Sequence, residues 1–209
     1  ILNLSSSKVA TIDLSRNPRL KSLNVNSSTL TSLDLAYNNE LITLNCSGLK
    51  SLTNRTIILK NHPQLTRIVC SGSTLTMLNV SGCTALVYLD CNGNNLSELD
   101  VCNSPKLEQL YMQSNSIRSI DLSKSVELTN FNCSSNQLSA LDMQACMKLY
   151  DFTFSSNPLS SLNLGSVPRI KEISMTWHYG DYEYDFSLSG EVVESLTIGQ
   201  NKDANSNRF

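Results

Sequence analysis

Leu86 to Lys106 reads LVYLDCNGNNL followed by SELDVCNSPK, and these two unequal halves set the frame for the whole chain. The stretches that follow repeat it: LEQLYMQSNSI with RSIDLSKSVE from Leu107, then LTNFNCSSNQL with SALDMQACMK from Leu128. Pairs of the form Leu-x-x-Leu open at Leu20, Leu30, Leu41, Leu65, Leu75, Leu86, Leu96, Leu107, Ile117, Leu128, Leu138, Leu149, Leu159 and Ile170. From Leu65 onward the openings alternate ten and eleven residues apart, so one unit is 21 residues built from two related halves. A fixed repeat outranks any local secondary-structure signal. Neither a 3.6-residue helical stripe nor a strict two-residue alternation fits L-x-x-L-x-L, which mixes short extended pieces with tight turns. A coil of this length cannot bury its own leucines and must stack on its neighbours. Stacking by parallel strand pairing advances about 4.8 Å per coil and predicts a rod or arc about 40 Å long.

The half-unit L-x-x-L-x-[LC]-x-x-N-x-L resembles the leucine-rich repeat signature. The alternating second half, as in LSELDVCNSPK, is similar to the 21-residue bacterial class, which includes internalin J and surface proteins of anaerobic gut bacteria. The resemblance covers Val9 to Met175. It implies a right-handed β-rich solenoid with a parallel sheet on one face and few or no helices. We expect a truncated N-terminal coil over 1–19, a solenoid over 20–176 with seven complete coils and the start of an eighth, and a cap with a loose tail over 177–209. Leu2, Leu4 and Val9 align with Leu89, Cys91 and Leu96, so the chain opens inside a coil. The coil opening at Leu41 is three residues longer than the others, and the extra residues fall near Leu49 to Thr53 as a bulge. Past Met175 the period stops. Alternation at Tyr182, Tyr184 and Phe186, and again from Val193 to Ile198 around Ser189-Gly190, predicts a capping hairpin.

Columns follow from the period. Asn94, Asn115, Asn136 and Asn157 share one, with Ser28 and Ser73 earlier. An inward Asn in a tight turn satisfies backbone groups that the turn leaves unpaired; a ligand-binding amide row is the alternative. Cys46, Cys70, Cys91 and Cys133 share the third apolar site of the first half with Val25, Met112 and Phe154. That exchange marks a buried apolar slot. Rungs about 4.8 Å apart exceed the usual disulfide Cβ separation of about 3.5 to 4.5 Å, so free thiols are expected. Cys83 and Cys146 stand in a different column with Asn17, Asn38 and Ser104, and Cys102 stands alone. No C-x-x-C pair and no histidine at ligand spacing occurs, which argues against zinc. Asp13, Asp34, Asp100, Asp121 and Asp142 recur after the second-half leucine, either as acceptors for turn N–H groups or as a cation row. Pro18, Pro63, Pro105 and Pro168 lie two residues before an opening Leu or Ile and set the turn into the next strand.

Charged residues make up 16% of the chain with a net charge of -2 and no basic stripe, which speaks against nucleic acid. No apolar run reaches the roughly 18 residues of a membrane span. The start, Ile1-Leu2-Asn3-Leu4, has no signal-peptide character, so any signal lies upstream. His62 sits in a turn column and His178 beside the cap, neither near a nucleophile and acid. No G-x-S-x-G, phosphate loop or H-E-x-x-H is present. The expectation is a non-enzymatic, cofactor-free, metal-free monomer.

If the Cys-bearing half forms the long sheet, the residues flanking its central Leu and following its Cys point outward. The candidate ligand-binding set is Arg67, Tyr88, Asp90, Asn92, Gln109, Tyr111, Gln113, Asn130 and Asn132. Tyrosine beside amides supplies rigid apolar area with hydrogen-bonding reach. The resemblance implies a cell-surface or secreted module binding a host protein or glycan. A structural spacer or an intracellular protein-interaction scaffold is the alternative, and aromatics around Trp177 are a rival site.

Overall fold

The computed structural model describes residues 1–165 in full, and beyond them the backbone of three strands, Glu172–Trp177, Phe186–Ser187 and Ser195–Gln200. Ten parallel strands, one per coil, form the main sheet: Leu2–Asn3, Ser22–Asn24, Thr43–Asn45, Arg67–Val69, Tyr88–Asp90, Gln109–Tyr111, Asn130–Asn132, Asp151–Thr153, Glu172–Trp177 and Ser195–Gln200. The second halves supply two smaller parallel sheets, one of Thr56–Ile58 with Met77–Asn79 and one of Ala140–Asp142, Ser161–Asn163 and Phe186–Ser187. No helix occurs among the described residues. The Cys-bearing half therefore forms the long sheet.

Register is set by the leucines. Leu2, Leu23, Leu44, Ile68, Leu89, Leu110, Phe131 and Phe152 pair in turn across the main sheet. From Leu23 on, each is the middle residue of a three-residue strand whose neighbours face outward. A slip by one residue would expose the whole column, so the pattern holds the stack in one arrangement. Core residues from every coil merge into one continuous cluster. Fully burying each Leu contributes about 1.5 to 3 kcal/mol, available only once a neighbouring coil is in place. Toward the C-terminal end phenylalanine replaces leucine, with Phe131 and Phe152 stacked at 5.7 Å and Phe152 and Phe154 at 4.7 Å.

Two tight turns close each coil. After the strand, the equivalent residue of each coil adopts the left-handed conformation: Ser6, Ser27, Gly48, Gly72, Gly93, Ser114, Ser135 and Ser156. Its N–H bonds forward to the next coil, as Gly93 N does to Gln113 O at 2.9 Å. At the other edge, Asn17, His62 and Ser104 each accept a hydrogen bond from the opening leucine, Leu20, Leu65 and Leu107. Pro18, Pro63 and Pro105 thus occupy the second position of a β-turn, where their fixed φ is suited; Pro168 and Ile170 lie outside the described residues.

The register from the N-terminus agrees with the sequence, since Leu2 pairs with Leu23 in the column of Leu89. Thr43 pairs with Arg67, which locates the three-residue excess inside this coil. Leu49 and Leu52 are both buried, and Lys50 N bonds Gly48 O between them, so the extra residues form a turn held at both ends. The strands beyond Met175 differ from the expected hairpin. Phe186–Ser187 pairs parallel with Leu162 and Asn163, and Ser195–Gln200 pairs parallel with Glu172–Trp177. Each joins the strand one coil back instead of its expected hairpin partner, because period-two alternation suits a parallel rung as well as an antiparallel pair. Tyr182, Tyr184, the Ser189-Gly190 turn, His178, the side chain of Trp177 and the tail Asn201 to Phe209 lie outside the described residues.

Candidate binding face

The outward rows of the main sheet bring the candidate residues into one patch. Arg67 pairs with Tyr88, Tyr88 with Gln109 and Gln109 with Asn130; in the parallel row Asp90 pairs with Tyr111 and Tyr111 with Asn132. Arg67 places its guanidinium carbon 3.6 Å from the centre of the Tyr88 ring. Tyr88 and Tyr111 meet at 5.6 Å with their rings tilted by 47°, a pairing that adds about 0.5 to 1.5 kcal/mol beyond area burial. Both tyrosines are half-buried on rigid strands, so little side-chain entropy is lost on binding.

Polar partners order the rest. Asn92 donates to Asp90 Oδ1 from its backbone N at 3.2 Å and from Nδ2 at 2.6 Å. Burial raises the Asp90 carboxyl above its ordinary value, opposed by these bonds and by Arg67. Burial likewise raises the Tyr111 phenol, helped by Tyr88, Asp151 and Asp90. Asn130 Nδ2 reaches Asp151 Oδ2 at 3.4 Å. Along the edge of the patch, Gln113 Oε1 and Ser134 Oγ are buried and have no hydrogen-bond partner. Asp151 was not among the candidates. Its column position opposite Asn130 was visible in the repeat, but its charge at Tyr111 depends on side-chain direction.

The other columns carry structure. Asn94 Oδ1 accepts from Ser73 N and Leu75 N while its Nδ2 donates to Cys70 O and Cys91 O. Asn115, Asn136 and Asn157 repeat the pattern, each bonding its own coil and the one before. Cys46, Cys70, Cys91 and Cys133 are buried free thiols in one column. Burial pushes Cys91 and Cys133 well up, while Cys70 is raised by its contact with Cys46 and then by burial. Asp13, Asp34, Asp100, Asp121 and Asp142 each accept the backbone N–H two residues on, at 2.9 to 3.0 Å. Their turn role is therefore explicit, and no cluster of three His, Cys, Asp or Glu residues able to hold a metal ion occurs among the described residues. Cys102, half-buried, donates to Asp121 Oδ2 at 3.4 Å, a contact its isolated sequence position did not reveal.

Parallel coils of 21 residues, a leucine core and a thiol column define a leucine-rich repeat solenoid, an architecture that presents a repeated face for interaction. Residues 84–125 match the family model described as Leucine Rich repeats (2 copies). The chain resembles the bacterial leucine-rich repeat family of internalin J: it is 32% identical to the functional domain of that protein from Listeria monocytogenes, which includes a cysteine ladder, with a TM-score of 0.77 over 84% of this chain and 38% of that one. A leucine-rich repeat protein of Leptospira interrogans shares the fold at 18% identity and TM-score 0.63, over 83% of this chain and 59% of that one. Another Listeria monocytogenes internalin does so at 19% and 0.51, over 82% and 60%. The chain spans less than two thirds of each. No curated protein matches it.

Proposed function

We propose that this chain is a non-catalytic recognition module of a cell-surface or secreted protein, holding a host protein or glycan against the main sheet. The contact set is Arg67, Tyr88, Asp90, Asn92, Gln109, Tyr111, Gln113, Asn130 and Asn132, and the chain works as a monomer without cofactor. The observation that carries this is the joining of Arg67, Tyr88 and Tyr111 into one contiguous group on a face that is otherwise mostly polar. Pre-ordered aromatic and guanidinium groups with amides at their rim are the composition of binding hot spots. Similarity to internalins supports the surface location. A non-catalytic role is supported by the turn N–H groups that Asp13, Asp34, Asp100, Asp121 and Asp142 accept, and by the burial of His62 with Nε2 on Leu35 O.

The test is a paired capture experiment, on host-cell surface proteins and on a glycan array, with the wild-type chain and Tyr88→Ala/Tyr111→Ala. Loss of capture by the double variant, with an unchanged melting curve, is the expected result. Capture that persists removes this face from the contact.

A further inference from the structure

Asn92-Gly93 is the one Asn-Gly pair in the chain, and it stands at the end of the strand that bears Tyr88 and Asp90. The equivalent positions of other coils avoid the combination: Ser47 precedes Gly48, Ser71 precedes Gly72, and Asn26 is followed by Ser27. An Asn-Gly pair is chemically labile, because glycine has no side chain to hinder attack by its own nitrogen. The Gly93 amide nitrogen adds to the Asn92 side-chain carbonyl carbon and gives up its proton. A ring succinimide forms as the bond to the side-chain nitrogen breaks, and that nitrogen leaves as ammonia. Water then opens the ring at either carbonyl, which yields aspartate or isoaspartate at position 92. No oxidant, reductant or cofactor takes part.

In the stacked coil both reacting groups are occupied. Gly93 N donates to Gln113 O of the next coil at 2.9 Å, so the nucleophile is engaged. The Asn92 side-chain nitrogen, which would have to leave, donates to Asp90 Oδ1 at 2.6 Å. Asn92 O takes Gly72 N from the coil before at 2.9 Å and Asn94 Nδ2 at 3.3 Å. The peptide unit between Asn92 and Gly93 is thereby tied to both neighbouring coils. Its nitrogen reaches the side chain only after it lets go of Gln113 O. Gly93 is exposed, so water for the hydrolysis is at hand.

We propose that Asn92 is a deamidation site gated by the stack: it keeps its amide while Gly93 N is bonded to Gln113 O and converts to aspartate or isoaspartate when this turn opens. The change locks itself in. Aspartate at 92 has no side-chain N–H for Asp90 and sets a second carboxylate against it, an unfavourable like-charge contact. Isoaspartate adds a methylene to the main chain, so the bonds of Asn92 O to Gly72 N and of Gly93 N to Gln113 O no longer fit one register. A converted turn therefore recloses poorly. On the sheet-face reading above, which places Asp90 and Asn92 in the contact set, conversion also weakens binding.

The experiment incubates the full 209-residue chain in mildly alkaline buffer, native and in denaturing guanidinium, and follows position 92 by peptide mass spectrometry with an isoaspartate assay. Asn92 is expected to convert ahead of the other asparagines in guanidinium, and at least about tenfold more slowly in the native chain, the factor that one hydrogen bond supplies. Asn115→Ala removes the amide that holds Cys91 O and Met112 O, and it should speed native conversion at Asn92. Guanidinium below the unfolding midpoint should do the same to the wild type. Equal native and denatured rates overturn the proposal, as does a native rate that neither treatment moves. Asn92→Asp supplies one product directly. Its melting midpoint should fall below that of wild type at neutral pH, with the gap narrowing in acid as the two carboxylates are protonated; an unchanged midpoint removes the locking step. If Asn92 converts as expected while Tyr88→Ala/Tyr111→Ala leaves capture intact, the gated site stands and the sheet-face reading falls.

Discussion

Asn94 donates its side-chain amide to the main-chain oxygen of Cys70, one coil back, at 3.0 Å. The same nitrogen reaches Cys91 O at 2.8 Å, and the amide oxygen takes Ser73 N and Leu75 N. One buried side chain thereby closes its own turn and ties it to the coil before. The backbone groups concerned have no water to turn to, so their loss carries the full cost of an unmet hydrogen bond.

Asn94→Ala and Asn115→Ala should therefore differ. Asn115 accepts from Leu96 N alone and is less enclosed. Its replacement should cost about 1 to 3 kcal/mol, and that of Asn94 should lie at or above the top of this range. Urea denaturation of the two variants beside wild type measures the order, and equal midpoints for all three proteins would remove the role assigned to the column.

The left-handed column predicts substitutions of opposite sign. Ser135 sits at φ 55° and Gly93 at φ 62° in equivalent turns. An L-residue pays about 1 to 2 kcal/mol there, partly offset by the extra backbone entropy that glycine loses on folding. Ser135→Gly should raise stability by about 0.5 to 1 kcal/mol and Gly93→Ser should lower it by a similar amount. Gly82 is a different case. A Cβ on it would lie 1.8 Å from the carbonyl oxygen of Lys60 in the preceding coil, so Gly82→Ala must push two backbones apart and should lower the thermal midpoint far more than Gly93→Ser.

Much of this fold was legible because 21-residue spacing places like residues above like. Leu2 under Leu23, and Thr43 under Arg67 across the longer coil, are where the repeat put them. The segments ending at Phe186 and Ile198 were not legible in the same way, since alternation states which side chains share a face but not which strand lies alongside. Ser and Gly exchange at the left-handed column was also visible as letters, yet only coordinates show φ. For the face, membership of Arg67, Tyr88 and Tyr111 came from register; the lean of Arg67 onto Tyr88, and the tilt of Tyr88 against Tyr111, depend on side-chain angles that no spacing encodes.

The thiols predict a loss of stability in alkali. Burial raises Cys83 and Cys146 to about 12, and Cys70, Cys91 and Cys133 are also held above the ordinary value of 9.0. A group whose pKa is higher in the folded state binds its proton more tightly there, so its contribution is complete below about 9 and is lost as pH rises toward the folded value. Urea midpoints should be flat to about pH 9 and fall beyond it. Cys83→Ser with Cys146→Ser should shallow that fall. In the native state at neutral pH only half-buried Cys102 should react with a thiol reagent, and slowly, since burial and then Asp100 and Asp121 hold it at about 11; denaturant should release all seven.

His62 predicts the opposite limb. It is 1% exposed, its Nε2 bonds Leu35 O, and its Nδ1 has no partner. Burial lowers its pKa, with the carbonyls of Leu35 and Leu59 opposing. A depressed value means that the unfolded chain takes up a proton first, so the stability present above about 6.5 is lost as pH falls toward the folded value. Other members of the column solve the same turn without a titrating group: Asn38 donates to Leu14 O and Asn17 O, and Ser104 to Cys83 O. His62→Asn keeps a donor for the carbonyl and removes the proton-binding site. Its denaturation midpoint should match wild type near pH 8 and exceed it at pH 5, because a neutral amide carries no penalty for remaining buried in acid. Parallel pH profiles for the two proteins would show that protonation of His62 does not limit the stack.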